Sequence, residues 1–402
     1  MNQHLKIEKL GVIGAGQMGK GIALASLPVC NTILMKDVSP DLTAASINAL
    51  YGFLDKQVGK NKITTAQRDS LFAKLIPCED YSLFKDCDLV IETVVEDLEV
   101  KRRVLGEVED ATGPDTIFAS NTSALPINKI AQGCFRPQNV LGMHYFSPVH
   151  LMPLLEIITT PLTDDWVKNS AVSFGVLQKK KCVVVKDGPA FYTTRILAAM
   201  LNRAGILLEQ GVNPHLIDEA LVEFGFPVGP VTLLDEVGID TVHHVTAMLK
   251  DFWAERGVKV SGIFELMFQK GYFGRKSGKG FYRYDVSKEG DRRKLNPDAI
   301  QEPGTDKTET TTRAIADRVA YSMVNEAVYC FEEEIIASPE DGDTAAVLGL
   351  GFPARGPFNH IDTEGAGPVV EKLGKLESEC GPAFKPSRGL VEMAAASGKF
   401  YD

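Results

Sequence analysis

Apolar and polar positions divide the chain into two regimes. Before Pro189, short apolar runs alternate with stretches of helical spacing. Lys9–Ile13, Thr32–Met35, Cys87–Ile91, Thr116–Ala119 and Cys182–Val185 predict strands, and Leu141–Pro161 holds two more runs around a Ser147-Pro148 turn. Strands interleaved with helices, the last of them Asp164–Leu177, predict an α/β domain on a mostly parallel sheet. One interruption stands out: Pro40–Val58 and Thr65–Leu75 predict a helical hairpin insert (about 40–76) turning through Gly59-Lys60-Asn61-Lys62. Beyond Pro189 the strand pattern stops. Arg195–Gln210 carries apolar residues at 196, 197, 200, 201, 204, 207 and 208, the stripe of a core-facing helix.

The helical half repeats itself. Arg318, Met323 and Asn325 match Arg195, Met200 and Asn202 at an offset of 123. Gly351-Phe352-Pro353 matches Gly225-Phe226-Pro227 at 126, and Gly356, Pro357, Asp362 and Gly365 match Gly229, Pro230, Asp235 and Gly238 at 127. Ten identities with a drift of four predict two tandem copies of one helical domain. The stretch 285–311 is polar and aperiodic, as expected of a linker. The expected domains are therefore 1–187, 188–284 and 312–402. The first copy carries a glycine-rich basic loop, Gly274 to Tyr282, that the second copy is expected to lack.

Composition narrows the function classes. A net charge of −10 over 402 residues argues against nucleic-acid binding. Seven scattered cysteines, without paired or zinc-like spacing, fit reduced thiols and no metal site. No apolar run approaches membrane-spanning length, and neither end shows a targeting signal. The expectation is a soluble cytoplasmic protein.

Candidate chemistry begins directly after the first strand. Gly14-Ala15-Gly16-Gln17-Met18-Gly19 leads into a helix-forming run, the order in which glycines bring a dinucleotide's pyrophosphate onto a helix N-terminus. Asp37 ends the second strand 18 positions after Gly19. A carboxylate there accepts from ribose hydroxyls and repels a 2′-phosphate, which favours NAD over NADP. Glu96, Ser123, His144 and Ser147 fall at or just past strand ends, where such sheets present groups to ligands. His144 and Glu156, on the two apolar runs, have the composition of a general-base pair. Lys56, Lys60 and Lys62 at the hairpin turn fit either phosphate contacts or solvated charges.

Taken together, GVIGAGQMGKGIA, ILMKDVS, VIETVVEDLEVK, ASNTSALPI, GMHYFSPVHLMPLLEII, GFPVGPVTLLDEVG and GRKSGKGFY resemble the L-3-hydroxyacyl-CoA dehydrogenases. The nearer resemblance is to the dehydrogenase part of multifunctional β-oxidation α-subunits. It implies an α/β Rossmann-type NAD-binding domain followed by two tandem all-α domains of the dehydrogenase C-terminal type. His144 is implied as base, Glu156 as its partner and Ser123 as a neighbour of the substrate hydroxyl. Gly14, Gly16, Gln17, Met18, Gly19, Asp37, Glu96, Lys101, Ser123, Ser147 and Lys276 are implied as NAD contacts, and Lys60 as a CoA contact. The implied reaction is oxidation of L-3-hydroxyacyl-CoA to 3-oxoacyl-CoA, with substrate between the first domain and the first helical copy. Two positions depart from simpler members: Thr194 and Ser147 each stand where asparagine is found.

A hydratase half, present upstream in the multifunctional relatives, is not expected in this chain, and a thiolase subunit is the implied partner. The second helical copy is expected to replace a partner subunit, giving a monomer or weak dimer. In a eukaryote the resemblance implies the mitochondrial matrix or peroxisome. The competing expectations are a dehydrogenase of the same plan acting on a CoA-free acid, and a catalytically silent, crystallin-like or scaffolding relative.

Overall fold

The computed structural model describes residues 4–284, 294–299, 311–353 and 355–401. They form two compact units, Met1–Phe191 and Tyr192–Asp402. No helix among the described residues is long and apolar enough to cross a membrane.

In the first unit the order is β1 (Lys9–Ile13), α1 (Gln17–Ser26), β2 (Thr32–Lys36), α2 (Pro40–Gly59), α3 (Thr65–Phe72), β3 (Leu75–Cys78), β4 (Leu89–Glu92), α4 (Leu98–Ala111), β5 (Ile117–Ser120), α5 (Ile127–Ile130), β6 (Val140–Tyr145), β7 (Leu154–Thr159), α6 (Asp165–Leu177) and β8 (Lys181–Lys186). The eight strands form one sheet in the order β3-β2-β1-β4-β5-β6-β7-β8. Every pairing is parallel except β6 with β7, which is antiparallel. The central strands are buried along their whole length, as a sheet covered on both faces requires. Helix starts follow local chemistry. Pro40 opens α2 at its first turn, Thr64 and Gln67 close a capping box on α3, and the Asp97 side chain caps α4.

One strand departs from the sequence expectation. The helix read as reaching Leu75 stops at Phe72, and Leu75–Cys78 joins the sheet as β3. Pro77 hides it from pattern reading, since proline lacks a ladder donor and is confined to edges. As an edge strand, β3 pairs with β2 alone.

The second unit comprises α7 (Thr193–Glu209), α8 (Pro214–Phe224), α9 (Pro230–Val237), α10 (Ile239–Ala254), α11 (Ile263–Gln269), a small pairing of β9 (Tyr282–Arg283) with β10 (Lys294–Leu295), then α12 (Thr312–Glu332), α13 (Pro339–Leu350), α14 (Pro357–Glu364), α15 (Ala366–Cys380) and α16 (Arg388–Ala395). The two copies correspond helix by helix. Two of the residues they share make equivalent bonds in both. Asn202 donates to the Lys259 carbonyl, and Asn325 donates to those of Ala383 and Lys385. Asp235 accepts from the backbone of Phe281 and Tyr282, and Asp362 from that of Phe400 and Tyr401. Phe226 and Phe352, equivalent by repeat, meet each other with ring centroids 5.4 Å apart.

These bonds correct two expectations. The second copy does keep part of the glycine-rich loop: Ser397-Gly398-Lys399-Phe400-Tyr401 at the C-terminus takes the place of Ser277 to Tyr282, without Arg275 and Lys276. One glycine is missing there and the offset falls to 119, which disguises the repeat in the sequence. The linker expected at 285–311 lies mostly outside the described residues. Within it, Lys294–Leu295 pairs with Tyr282–Arg283, and Asn296 is fully buried with its amide on the Gly280 carbonyl. That short piece belongs to the first copy's fold, because a buried amide and a strand pairing hold it there.

Candidate active site

The three glycines of the loop after β1 do different work. Gly14 has φ +95°, and a Cβ there would lie 2.6 Å from Thr93 Oγ1. A Cβ on Gly19 would lie 1.8 Å from the Gly14 carbonyl oxygen, so α1 and the loop pack with no room for a side chain. Gly16 is constrained by neither: its φ is −67° and a Cβ would meet nothing within 4 Å. The protein leaves an open cradle beside the free N–H groups of α1, which is the space a pyrophosphate needs. Asp37 directly follows β2 and accepts from the Ala15 N–H at 2.6 Å and the Val38 N–H at 2.7 Å, tying the strand end to the loop. Lys36 is held over the Tyr81 ring, 4.7 Å from its centroid. Met18 packs against the core, while exposed Gln17 donates to Ser147 Oγ at 2.8 Å.

The antiparallel pairing of β6 and β7 makes the base pair. Its register sets His144 directly opposite Glu156. Side chains of opposed residues leave the same face of a sheet with neighbouring Cβ atoms. His144 Nδ1 and Glu156 Oε2 are 2.7 Å apart, and Glu156 is fully buried. A carboxylate only accepts, so Nδ1 carries the proton and Nε2 is left as the basic nitrogen. Nε2 has no partner among the described residues, and the ring lies against Phe146 with centroids 4.5 Å apart. The loop joining the two strands is pinned from below. The buried Lys180 ammonium donates to the carbonyls of Val149 and Met152, and burial lowers its pKa.

The neighbouring strand ends are knitted to this pair. Asn121 donates its N–H to the Glu92 carbonyl, and its side-chain oxygen accepts from the N–H of Tyr145, next to His144. The Tyr145 hydroxyl donates to Gln178, which donates to Ser26 on α1. Ser123 sits half-buried in the same turn, its hydroxyl without a partner among the described residues. Glu96 accepts from Thr122 Oγ1, and its other oxygen lies 3.3 Å from Lys101 Nζ. Lys101 is buried and bonded mainly to Glu92. Sequence reading passed over Glu92, Ser120, Asn121 and Lys180. The available signal for Glu92 was a lone carboxylate closing an apolar run. Lys180 stands in a run of three lysines, Lys179 to Lys181, which carries no such signal.

Other expected site residues lie elsewhere. Lys60 caps the C-terminus of α2 and is exposed. Thr194, half-buried in the first turn of α7, and Lys276 belong to the helical unit. Lys276 pairs with Asp240 at 2.6 Å. Next to Thr194, the fully buried Arg195 bonds Glu326 on α12 at 2.6 Å and Glu333, just past its end, at 2.5 Å and stacks on Phe252, so the second copy grips the first turn of α7.

The family model for the NAD binding domain of 3-hydroxyacyl-CoA dehydrogenase matches residues 9–188, and that for its C-terminal domain matches twice, at 191–284 and 315–400. The chain belongs to the 3-hydroxyacyl-CoA dehydrogenase family. NAD is the cofactor of its first domain, in agreement with the open cradle at Gly16. Among relatives, a fatty acid oxidation complex subunit alpha from Shewanella baltica is 41% identical over 98% of this chain and 56% of its own length. The chain thus spans about half the length of the curated relatives it matches. An (S)-3-hydroxybutyryl-CoA dehydrogenase from Ralstonia eutropha is 33% identical over 69% of this chain and 99% of its own, with a TM-score of 0.66. A 3-hydroxybutyryl-CoA dehydrogenase from Escherichia coli covers 98% of this chain and 99% of its own at a TM-score of 0.86; at 24% identity it speaks for the fold.

Proposed function

We propose that this protein oxidises L-3-hydroxyacyl-CoA to 3-oxoacyl-CoA with NAD⁺, in fatty-acid β-oxidation. The observation that carries the reading is the buried His144–Glu156 pair at the rim of the sheet that holds the cofactor cradle. His144 Nε2 takes the proton from the C3 hydroxyl, and Glu156 stabilises the imidazolium as it forms. When bound, NAD⁺ supplies the acceptor for the hydride leaving C3. Ser123 presents its hydroxyl to the substrate oxygen, and the family motif assigns Thr194 to the same reaction. Gly14, Gly16, Gln17, Met18, Gly19, Asp37, Glu96, Lys101, Ser147 and Lys276 hold the cofactor, and Lys60 meets the CoA phosphates. The assignments of Thr194, Lys276 and Lys60 rest on the family motifs they occupy.

The relatives are named as subunits of a fatty acid oxidation complex, which supports a complex partner, and the family resemblance implies a thiolase subunit and a hydratase half in that role. The packing of α7 on α12 supports a monomer or weak dimer, with the second copy standing in for a partner subunit. Seven free cysteines support a reducing compartment such as the cytoplasm.

The test is NADH formation from L-3-hydroxybutyryl-CoA beside CoA-free 3-hydroxybutyrate. Turnover of the thioester alone is expected, and His144→Ala should lower it by about 10²–10⁴-fold with NADH affinity little changed. Equal turnover of the free acid would overturn the CoA assignment. No turnover by a folded protein that binds NADH would leave a silent relative.

A further inference from the structure

Glu92 is fully buried at the end of β4, between β1 and β5. Its carboxylate takes the Lys101 ammonium on both oxygens, at 2.9 and 3.1 Å, and also accepts from Ser120 Oγ and the Val94 N–H. Lys101 is itself 1% exposed. Two arms lead from this carboxylate to one group at the rim. In the first, Lys101 turns its remaining donor to Glu96 Oε2. In the second, Ser120 Oγ accepts from the Thr122 N–H, and Thr122 Oγ1 donates to Glu96 Oε1.

We propose that Glu92 is a positioning residue for cofactor binding: it roots both arms of the clamp that holds the half-exposed Glu96 in one orientation. The inference rests on the reading of Glu96 as a cofactor contact. A free glutamate on a loop samples several rotamers, and ordering it on binding weakens affinity. Glu96 is already ordered on both oxygens and can receive the cofactor's hydroxyl or amide donors without rearrangement. An ammonium has three N–H donors, and three carboxylate oxygens lie within 3.3 Å of Lys101. Its charge is shared among the carboxylates, and beside its own contact with the cofactor it aims Glu96. Glu92 keeps that buried cation paired.

The test is NADH affinity by fluorescence, together with KM for NAD⁺, KM for the thioester and kcat, in Glu92→Gln, Glu96→Ala and the double variant. Glu92→Gln keeps the shape and removes the charge. It is expected to weaken NADH binding and raise KM for NAD⁺ by about tenfold, the scale of one hydrogen bond to a charged group. The thioester KM, and kcat at saturating NAD⁺, should hold. The double variant should bind NADH no worse than Glu96→Ala, because Glu92 acts through Glu96. Additive losses, or wild-type affinity in Glu92→Gln, overturn the proposal. If Glu96→Ala alone binds NADH normally, the cofactor reading of Glu96 falls with it. Should Glu92→Gln not fold, Ser120→Ala cuts one arm and is expected to weaken binding by a smaller factor, absorbed in the Glu96→Ala background; no effect of Ser120→Ala overturns the two-arm account.

Discussion

Replacing Glu156 by glutamine separates the carboxylate's charge from its shape. The side chain is fully buried and 2.7 Å from His144 Nδ1, so solvent cannot substitute for what is lost. The amide has two orientations. With its oxygen toward Nδ1, the tautomer survives but the forming imidazolium loses its counter-charge. With its NH₂ toward Nδ1, the proton moves to Nε2 and the base is blocked. A hydrogen bond to a charged group is worth about 1.5–3 kcal/mol, and the lost charge in a buried site adds to that. A barrier higher by roughly 3–5 kcal/mol corresponds to a loss of about 10²–10⁴ in kcat. The same carboxylate-to-amide change in a serine protease triad costs about 10⁴. The assay is kcat for NADH formation from L-3-hydroxybutyryl-CoA, with NADH affinity measured separately and expected to hold. Adding His144→Ala should cost little more, because the two residues act as a unit. A kcat within a few-fold of wild type would refute the coupling of charge to base.

The two glycines of the cofactor loop should fail differently. Gly16→Ala should fold normally and lose NAD affinity, whereas Gly19→Ala, with its Cβ 1.8 Å from a backbone oxygen, should lose thermal stability whether or not NAD is present; equal stability of the two variants refutes this. Arg195→Met leaves Glu326 buried with only Arg256 for a partner and should lower unfolding free energy by about 3–5 kcal/mol, read by denaturant unfolding. Burial pushes the Asp235 carboxyl up to about 6, against the backbone N–H groups of Tyr282 and Phe281 and the Tyr284 hydroxyl. Its protonated form is therefore the one the fold favours. That contribution is fully present below the unfolded value near pH 4 and is lost as pH rises through about 6, a total of roughly 3 kcal/mol. The stability advantage of wild type over Asp235→Asn in urea should shrink by that order between those limits; a difference independent of pH refutes the shift, since it means the carboxyl titrates alike folded and unfolded.

Much of the fold was legible because its signals are local. Strand, glycines and helix follow one another within a few residues, and the helical repeat survives in residues that make the same bond twice, such as Asn202 and Asn325. What was missed is non-local or disguised. Leu75–Cys78 is a strand only because β2 offers an edge that tolerates Pro77. Tyr401 repeats Tyr282 only once Asp362 is seen to hold it.

For the site, the sequence by itself determined the chemistry on offer: a glycine loop for a dinucleotide, an acid at the end of β2, and one histidine and one carboxylate on adjacent apolar runs. Tertiary structure alone decided that the histidine and carboxylate face each other. A register shift of one residue between β6 and β7 would send their side chains to opposite faces, and twelve residues of separation do not specify register. It alone decided, too, that Lys101 is a buried cation bound to Glu92. The physical reason is the same in both cases: residue types set which interactions are available, while burial and register select the ones that are made.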